Sequence, residues 1–223
     1  MTAQAGTYVG RFAPSPTGPL HFGSLLAALA SFAEARANQG RWLLRIEDID
    51  PPREHAGADQ LIVAALEAYG FEWDGPVYYQ SHSTDRHEAL VTSLLERGLA
   101  YPCACSRRDL ADVRRGPLGP IYPGTCREGT RADDVAIRIR TDDEVTDFDD
   151  RLQGRFAQRL ESESGDFVIK RRDGLIAYHL AVVVDDADQG VTDIVRGIDL
   201  LDSTPRQIHV QRMLNLPTPT YAH

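Results

Sequence analysis

Tyr8 to Ala13 reads as a short strand, and the run Pro14-Ser15-Pro16-Thr17-Gly18-Pro19 then forbids regular structure. Ser24 to Ala37 is a strong helix former, with Leu25, Leu26, Leu29, Phe32 and Ala33 at helical spacing as its expected apolar face and Gly40 as its stop. Arg41 to Ile46 reads as the next strand and delivers the acidic group Glu47-Asp48-Ile49-Asp50, closed by Pro51-Pro52. A second helix is expected from about Glu54 to Tyr69, carrying Leu61, Ile62, Ala65 and Leu66 and ending at Gly70. Strand, helix, strand, helix with loops of a few residues is the pattern of a parallel, doubly wound α/β sheet.

The rhythm continues with a helix over Thr84–Arg97 and breaks at Tyr101–Thr130, a stretch rich in Pro, Gly and Arg that holds all three cysteines. This stretch reads as a small inserted lobe, so the expected organisation is 1–100, a lobe at 101–131, and 132–223. In the last part Val135–Arg140 and Phe167–Arg171 read as strands, Ala177–Ala187 as a helix, Thr192–Arg196 as a strand and Thr204–Leu214 as a helix. Tyr221-Ala222-His223 follows soon after that last helix, with no closing cap or tail. At 223 residues the chain can bury about 70% of its unfolded surface. With 42% hydrophobic and 26% charged residues it falls outside collagenous, disordered and disulfide-stapled classes. No apolar run reaches about 18 residues, and Met1–Gly10 lacks a secretory layout, so the expected location is the cytoplasm, without a membrane partner.

The net charge of -9 argues against a generic polyanion binder, so any nucleic-acid partner must meet a local basic face. Arg107-Arg108, Arg114-Arg115, Arg127 and Arg131 flank the cysteines and supply one candidate; Arg171-Arg172 is a second. Lys170 is the only lysine, so chemistry requiring a lysine has one candidate. In a reducing compartment, Cys103, Cys105 and Cys126 point to zinc, with a fourth ligand from a distant group or an oxygen donor such as Tyr122, Asp109 or Asp112.

His21-Phe22-Gly23-Ser24 stands where the Pro/Gly loop meets a helix N-terminus, where unpaired N–H groups and the helix dipole suit a phosphate. Gly23, lacking a Cβ, would let a purine ring lie against the backbone. Arg11 to Gly18 lies just upstream, and the Arg45-to-Asp50 segment ends the following strand. Both belong at carboxyl ends of neighbouring strands, the usual ligand crevice. An Arg for a carboxylate and a Glu for an ammonium across one crevice make an amino-acid pocket.

Three blocks, Arg11–Ser24, Arg45–Arg53 and Val195–Gln207, resemble class I glutamyl-type aminoacyl-tRNA synthetases and occur in that family's order. The wording HFGSLLAAL and RIEDIDPPRE is similar to the glutamyl-Q branch, shortened paralogues without an anticodon-binding domain, whereas ordinary glutamyl synthetases continue the first motif as His-x-Gly-Gly-Ala-Arg. The resemblance implies a Rossmann-type catalytic domain that activates L-glutamate with ATP and Mg2+. It implies transfer to queuosine at the wobble position of tRNA(Asp). Pro14 to Ser24 would be the first ATP signature, with Pro14, Thr17, Gly18, His21 and Gly23 on ATP and His21, Gly23 and Ser24 serving catalysis. Arg11, Phe12, Ala13, Pro14, Ser15, Glu47, Tyr178 and Arg196 would form the glutamate pocket, with Glu47 receiving the ammonium. The branch's Cys-x-Cys and Tyr-x-x-x-Cys pattern matches Cys103, Cys105, Tyr122 and Cys126, implying a structural zinc. A monomer is the expectation.

The family's second ATP signature, a Lys-Met-Ser-Lys-Ser-like loop, is expected after the last helix. Lys170 stands in the wrong context for it, so the sequence reads as truncated before that loop. Two other readings are a fragment of an ordinary glutamyl-tRNA synthetase and a non-catalytic zinc-bearing RNA-binding module.

Overall fold

A computed structural model describes residues 8–116 and 119–223; Met1 to Thr7, most of the segment read for a secretory layout, lie outside the described residues. The first elements are β1 (Val9–Phe12), α1 (Phe22–Ala37), β2 (Arg41–Ile46), α2 (Ala58–Ala68), β3 (Tyr78–Tyr79), α3 (Thr84–Glu96) and β4 (Ala100–Cys103). Next come β5 (Arg115–Gly116), β6 (Gly119–Pro120), β7 (Ala136–Ile139), the hairpin strands β8 (Val145–Asp150) and β9 (Gly154–Arg159), and the single turn α4 (Leu160–Glu163). The chain closes with β10 (Phe167–Lys170), α5 (Tyr178–Asp188), β11 (Asp193–Val195), α6 (Thr204–Leu214) and β12 (Thr220–Ala222).

β2 runs parallel to β1 on one side and β3 on the other, with Val9 opposite Arg41 and Arg45 opposite Tyr78. β12 runs parallel between β11 and β8, and β8 turns back into antiparallel β9. The two rows meet at Thr192, whose N–H donates to the Val9 carbonyl and whose Oγ1 accepts from Val9 N–H, each at 2.9 Å. The spatial order is therefore β3-β2-β1-β11-β12-β8-β9. From β1 the chain winds outward to β2 and β3, then returns on the other side at β11. That reversal makes a switch point at the carboxyl ends of β1 and β11, where doubly wound sheets open a crevice.

Alternation along β2 sorts the core. Trp42, Leu44 and Ile46 pack with Ala28 and Ala35 of α1, Ile62 and Leu66 of α2, and Phe71, while Leu43 joins Val9, Ile194, Ile208 and Tyr221. Arg45 shares the Leu43 face and is fully buried there. A separate antiparallel sheet, β10-β7-β4, packs on α3 and α5 through Leu94, Ile139, Ile169, Leu180 and Val183.

Several sequence expectations shift. On α1 the buried face is Ala28, Ser31 and Ala35, with Leu25 and Phe32 half-buried; Leu26 and Leu29 are 54% and 51% exposed. Small residues let α1 approach β2, and Ser31 Oγ accepts from Trp42 Nε1 at 3.0 Å. The second helix starts at Ala58 rather than Glu54, because Pro51–Arg53 forms a 3-10 turn and Gly57 enters the helix at φ +77°. Leu61 faces outward. The strands read at 135–140 and 167–171 belong to the antiparallel sheet, and the closing Tyr221-Ala222 segment is an inner strand of the parallel one.

Candidate active site

A cleft of about 600 Å³ opens at the switch point and collects every residue expected to hold glutamate or ATP. β1 and the loop after it supply Arg11 to Ser15, Thr17 and Gly18; the start of α1 supplies His21, Gly23 and Ser24; Glu47 follows β2. Tyr178 opens α5, and Arg196 leaves β11. The cleft also takes Gly197, Ile198, Asp199 and Leu200, a wall the sequence blocks contained without a role.

His21 is the N-cap of α1. Its Nδ1 accepts from Ser24 N–H at 3.2 Å, and its Nε2 lies 3.0 Å from Ser24 Oγ. The first turn carries no acidic side chain, so its remaining N–H groups and the dipole favour an anion. A Cβ at Gly23 would meet His21 Cε1 at 3.1 Å and Nδ1 at 3.2 Å. The missing Cβ makes room for the capping imidazole. Gly18 turns the loop at φ +144°, a conformation L side chains rarely adopt.

Beneath the loop lies a buried charge network. Arg11 donates from Nε and Nη2 to Asp186 at 3.1 and 3.4 Å. Arg45 donates from Nη2 to Asp186 Oδ1 at 2.8 Å and to Glu47 Oε1 at 3.1 Å, and from Nη1 to Gln189 Oε1 at 2.7 Å. Burial pushes Asp186 up, yet Arg11 and Arg45 hold it below the usual carboxylate range. For Glu47 burial wins, and its carboxyl lies above that range despite Arg45 and Arg11. Burial likewise pushes the Tyr178 phenol up, against Arg196. Arg11 is thus largely committed to Asp186. Arg196 is different: its Nε donates to His223 Nε2 at 2.9 Å and its Nη2 to Thr204 Oγ1 at 2.7 Å, while Nη1 is buried without a partner among the described residues. A carboxylate ligand would satisfy that donor. Asp186, Arg45, Thr204 and His223 were not assigned from sequence; an arginine and an aspartate on strand and helix interiors were the only hints.

A second cluster lies at the end of β4. The thiol groups of Cys103, Cys105 and Cys126 lie within 4.8 Å of one another, with Cys105 and Cys126 sulfurs 3.6 Å apart. Tetrahedral zinc with bonds of about 2.3 Å spaces sulfurs by about 3.8 Å, so the donors fit that ion. Tyr122 Oη stands 3.4 Å from Cys103 Sγ and 3.7 Å from Cys105 Sγ, and accepts from Cys126 N–H at 2.8 Å. Asp109 instead turns back on Ser106, and neither it nor Asp112 joins the cluster. Arg138 donates to Cys103 Sγ at 3.2 Å and stacks 3.9 Å over the Tyr122 ring.

The expected basic face is smaller than its sequence. Arg127 folds inward to Asp166 at 2.6 Å and Glu161 at 2.7 Å, and Arg114 bonds the Ser162 carbonyl. Arg171 pairs with Asp50 and Asp173, and Arg172 with Asp134. Arg107, Arg108, Arg115 and Arg131 remain exposed. Lys170 pairs with Glu88 at 2.7 Å and does not line the cleft.

The family model for the catalytic domain of class I tRNA synthetases (E and Q) matches residues 8–223. The chain is 57% identical over 225 residues to a glutamyl-Q tRNA(Asp) synthetase of Pseudomonas fluorescens, covering 100% of this chain and 74% of that protein. It is 58% identical over 217 residues to one of Ectopseudomonas mendocina, covering 97% and 72%. Among solved structures, a glutamate tRNA ligase from Elizabethkingia meningosepticum, in complex with its amino acid, superposes with a TM-score of 0.85 at 27% identity, covering 97% of this chain and 49% of that one. A glutamate-tRNA synthetase from Elizabethkingia anophelis gives 0.86 at 27%, covering 97% and 50%. The chain therefore spans about half the length of these solved enzymes.

Proposed function

Because the chain belongs to the class I tRNA synthetases for glutamate and glutamine, we propose that it activates L-glutamate with ATP and transfers it to queuosine in tRNA(Asp). The observation that carries the glutamate reading is the buried Nη1 of Arg196, without a partner among the described residues, in a cleft that also holds the Glu47 carboxylate. Arg196 would take the side-chain carboxylate with Tyr178 beside it, and Glu47 the ammonium. Such a site rejects uncharged isosteres, which leave the buried donor unpaired.

ATP would lie along Pro14 to Ser24, with phosphates at the α1 N-terminus. Mg2+ would enter with the nucleotide, bound chiefly by its phosphates and water. The glutamate α-carboxylate attacks the α-phosphorus and pyrophosphate leaves; an acceptor hydroxyl then attacks the activated carbonyl and AMP leaves. Neither step needs a protein nucleophile, so the residues act by positioning and charge stabilisation. Zinc would shape the lobe near 101–131, and Arg107, Arg108, Arg115 and Arg131 would meet the tRNA backbone. The relatives' name supports the tRNA(Asp) acceptor and a cytoplasmic site of action.

The test is transfer of labelled glutamate to tRNA(Asp) with and without queuosine, alongside glutamate-dependent ATP–pyrophosphate exchange. Transfer only to the queuosine form is expected. Equal charging of both would favour an ordinary glutamyl synthetase, and tRNA binding without exchange a non-catalytic module.

A further inference from the structure

Arg196 is held from behind by His223 and Asp150, at the carboxyl ends of the next two parallel strands. His223 Nε2 accepts from Arg196 Nε at 2.9 Å, and its Nδ1 lies 2.6 Å from Asp150 Oδ2. A guanidinium nitrogen is only a donor, so Nε2 must be bare and the proton must sit on Nδ1, facing Asp150. Asp150 is fixed in turn. Its Oδ1 accepts the backbone N–H groups of Leu152 and Gln153 at 2.9 Å and of His223 at 3.2 Å. His223 and Asp150 side chains are fully buried, and the Tyr221 ring stacks on the imidazole at 6.0 Å and 13°. Thr204 Oγ1, 3.1 Å from Nε2, fixes a second edge of the guanidinium by accepting from Nη2. Two fixed nitrogens define the plane of the group, and hence the direction of Nη1.

We propose that Asp150 and His223 are positioning residues for Arg196: the Asp150 carboxylate holds His223 as its Nδ1–H tautomer, whose bare Nε2 aligns the Arg196 guanidinium with the substrate's side-chain carboxylate. The second half of this rests on the glutamate reading above. Neither residue touches substrate. The relay explains why a histidine and an aspartate are buried together, and why β12 runs beside β8, bringing Tyr221 into register with Asp150.

The test separates tautomer from ligand in the full-length protein. Long-range 1H–15N spectra of histidine-labelled protein should show His223 protonated at Nδ1. In Asp150→Asn the amide oxygen can keep the backbone bonds, leaving an NH2 against Nδ1, and the tautomer should invert, as an Asp-to-Asn change behind a histidine does elsewhere. Arg196 would then face a second donor, and the KM for glutamate in ATP–pyrophosphate exchange should rise tenfold or more with the KM for ATP unchanged. His223→Gln offers an amide oxygen near the Nε2 position and should stay within about threefold of wild type. His223→Leu should match Asp150→Asn. On the His223→Gln background, Asp150→Asn should add no further effect, a result general destabilisation would not give. An Nε2–H tautomer in the wild type overturns the proposal, as does a folded Asp150→Asn enzyme with unchanged KM for glutamate. If Asp150→Asn does not fold, the Gln and Leu variants decide: equal KM values overturn the relay. Wild-type protein without glutamate-dependent exchange but with the Nδ1–H tautomer overturns the ligand assignment and supports the alignment of Arg196 by His223.

Discussion

Glu47 accepts from Arg45 at 3.1 Å and still titrates above the ordinary carboxylate range, because burial outweighs both Arg45 and Arg11. A carboxylate in this position costs stability whenever it is ionised and free of ligand. Glu47→Gln should therefore stay within about 1 kcal/mol of wild type at pH 7, since Arg45 keeps Asp186 as its countercharge at 2.8 Å and the charge removed is one that burial disfavours. The sign follows from linkage. With its folded pKa above the unfolded value of about 4.3, Glu47 favours the folded state most below that unfolded value and loses this contribution as pH rises through its folded pKa. Any advantage of the Gln variant should thus shrink as pH falls. Urea unfolding at pH 7 and pH 5 measures it. In the same variant the KM for glutamate should rise by tens of fold with the KM for ATP little changed.

Gly23 gives a cleaner separation of binding from stability. An alanine Cβ would stand about 3.1 Å from the His21 ring, which must give by a few tenths of an ångström and so weakens the N-cap of α1. Loss of a cap costs about 1 kcal/mol, and replacing helical Gly by Ala returns up to about 1 kcal/mol. Gly23→Ala should therefore leave the melting temperature nearly unchanged while the KM for ATP rises severalfold. A large fall in melting temperature would show that His21 matters more to the helix than this balance allows.

The first βαβ unit was legible because its signals are local: proline and glycine punctuation around helical and strand periodicity from Tyr8 to Ile46. The faces were less so. Leu26 and Leu29 read as core, but the helix approaches β2 through Ala28, Ser31 and Ala35, a choice made by Trp42 on the facing strand. β12 spans only Thr220–Ala222, and its strand state comes from β11 and β8 on either side, which no local window contains. The hairpin β8–β9 carries Val-Thr-Asp-Phe-Asp-Asp, too acidic to read as a buried strand, although Gly154 at φ +78° marks its turn. Of the residues lining the cleft, Arg11, Glu47 and Arg196 stand in the motif blocks and Tyr178 enters through the resemblance alone, whereas Asp186, His223 and Asp150 bond across separations no motif spans.

Tyr122 is the one residue of the cysteine cluster whose role can be removed without touching a thiol. Its oxygen accepts from Cys126 N–H and stands near two sulfurs, so Tyr122→Phe would leave that donor unpaired and a zinc ion with three thiolates. Wild-type protein should carry one zinc per chain by elemental analysis. The Phe variant should release it to a chelating dye at concentrations about 10- to 100-fold lower. Chelation should increase proteolysis within Cys103–Cys126 while leaving nucleotide binding at the switch-point cleft, on a different sheet, intact.

Arg127 and the pair Arg107-Arg108 look alike in sequence and should fail in opposite ways. Arg127 donates from Nε and Nη2 to Asp166, which is 1% exposed, and also pairs with Glu161. Burial pushes Asp166 up, while Arg127 and Tyr101 hold it below the usual range. Arg127→Ala strips that buried carboxylate of its countercharge, so stability should fall by about 3 kcal/mol. Arg107 and Arg108 are exposed beside Cys105. Replacing both by Ala should change stability by less than about 0.5 kcal/mol. It should weaken tRNA binding and reduce the slope of log affinity against log salt by nearly 1 for each phosphate no longer neutralised. Urea unfolding and filter binding across a salt series separate the two. An unchanged salt slope in the double variant would remove these arginines from the RNA-facing surface.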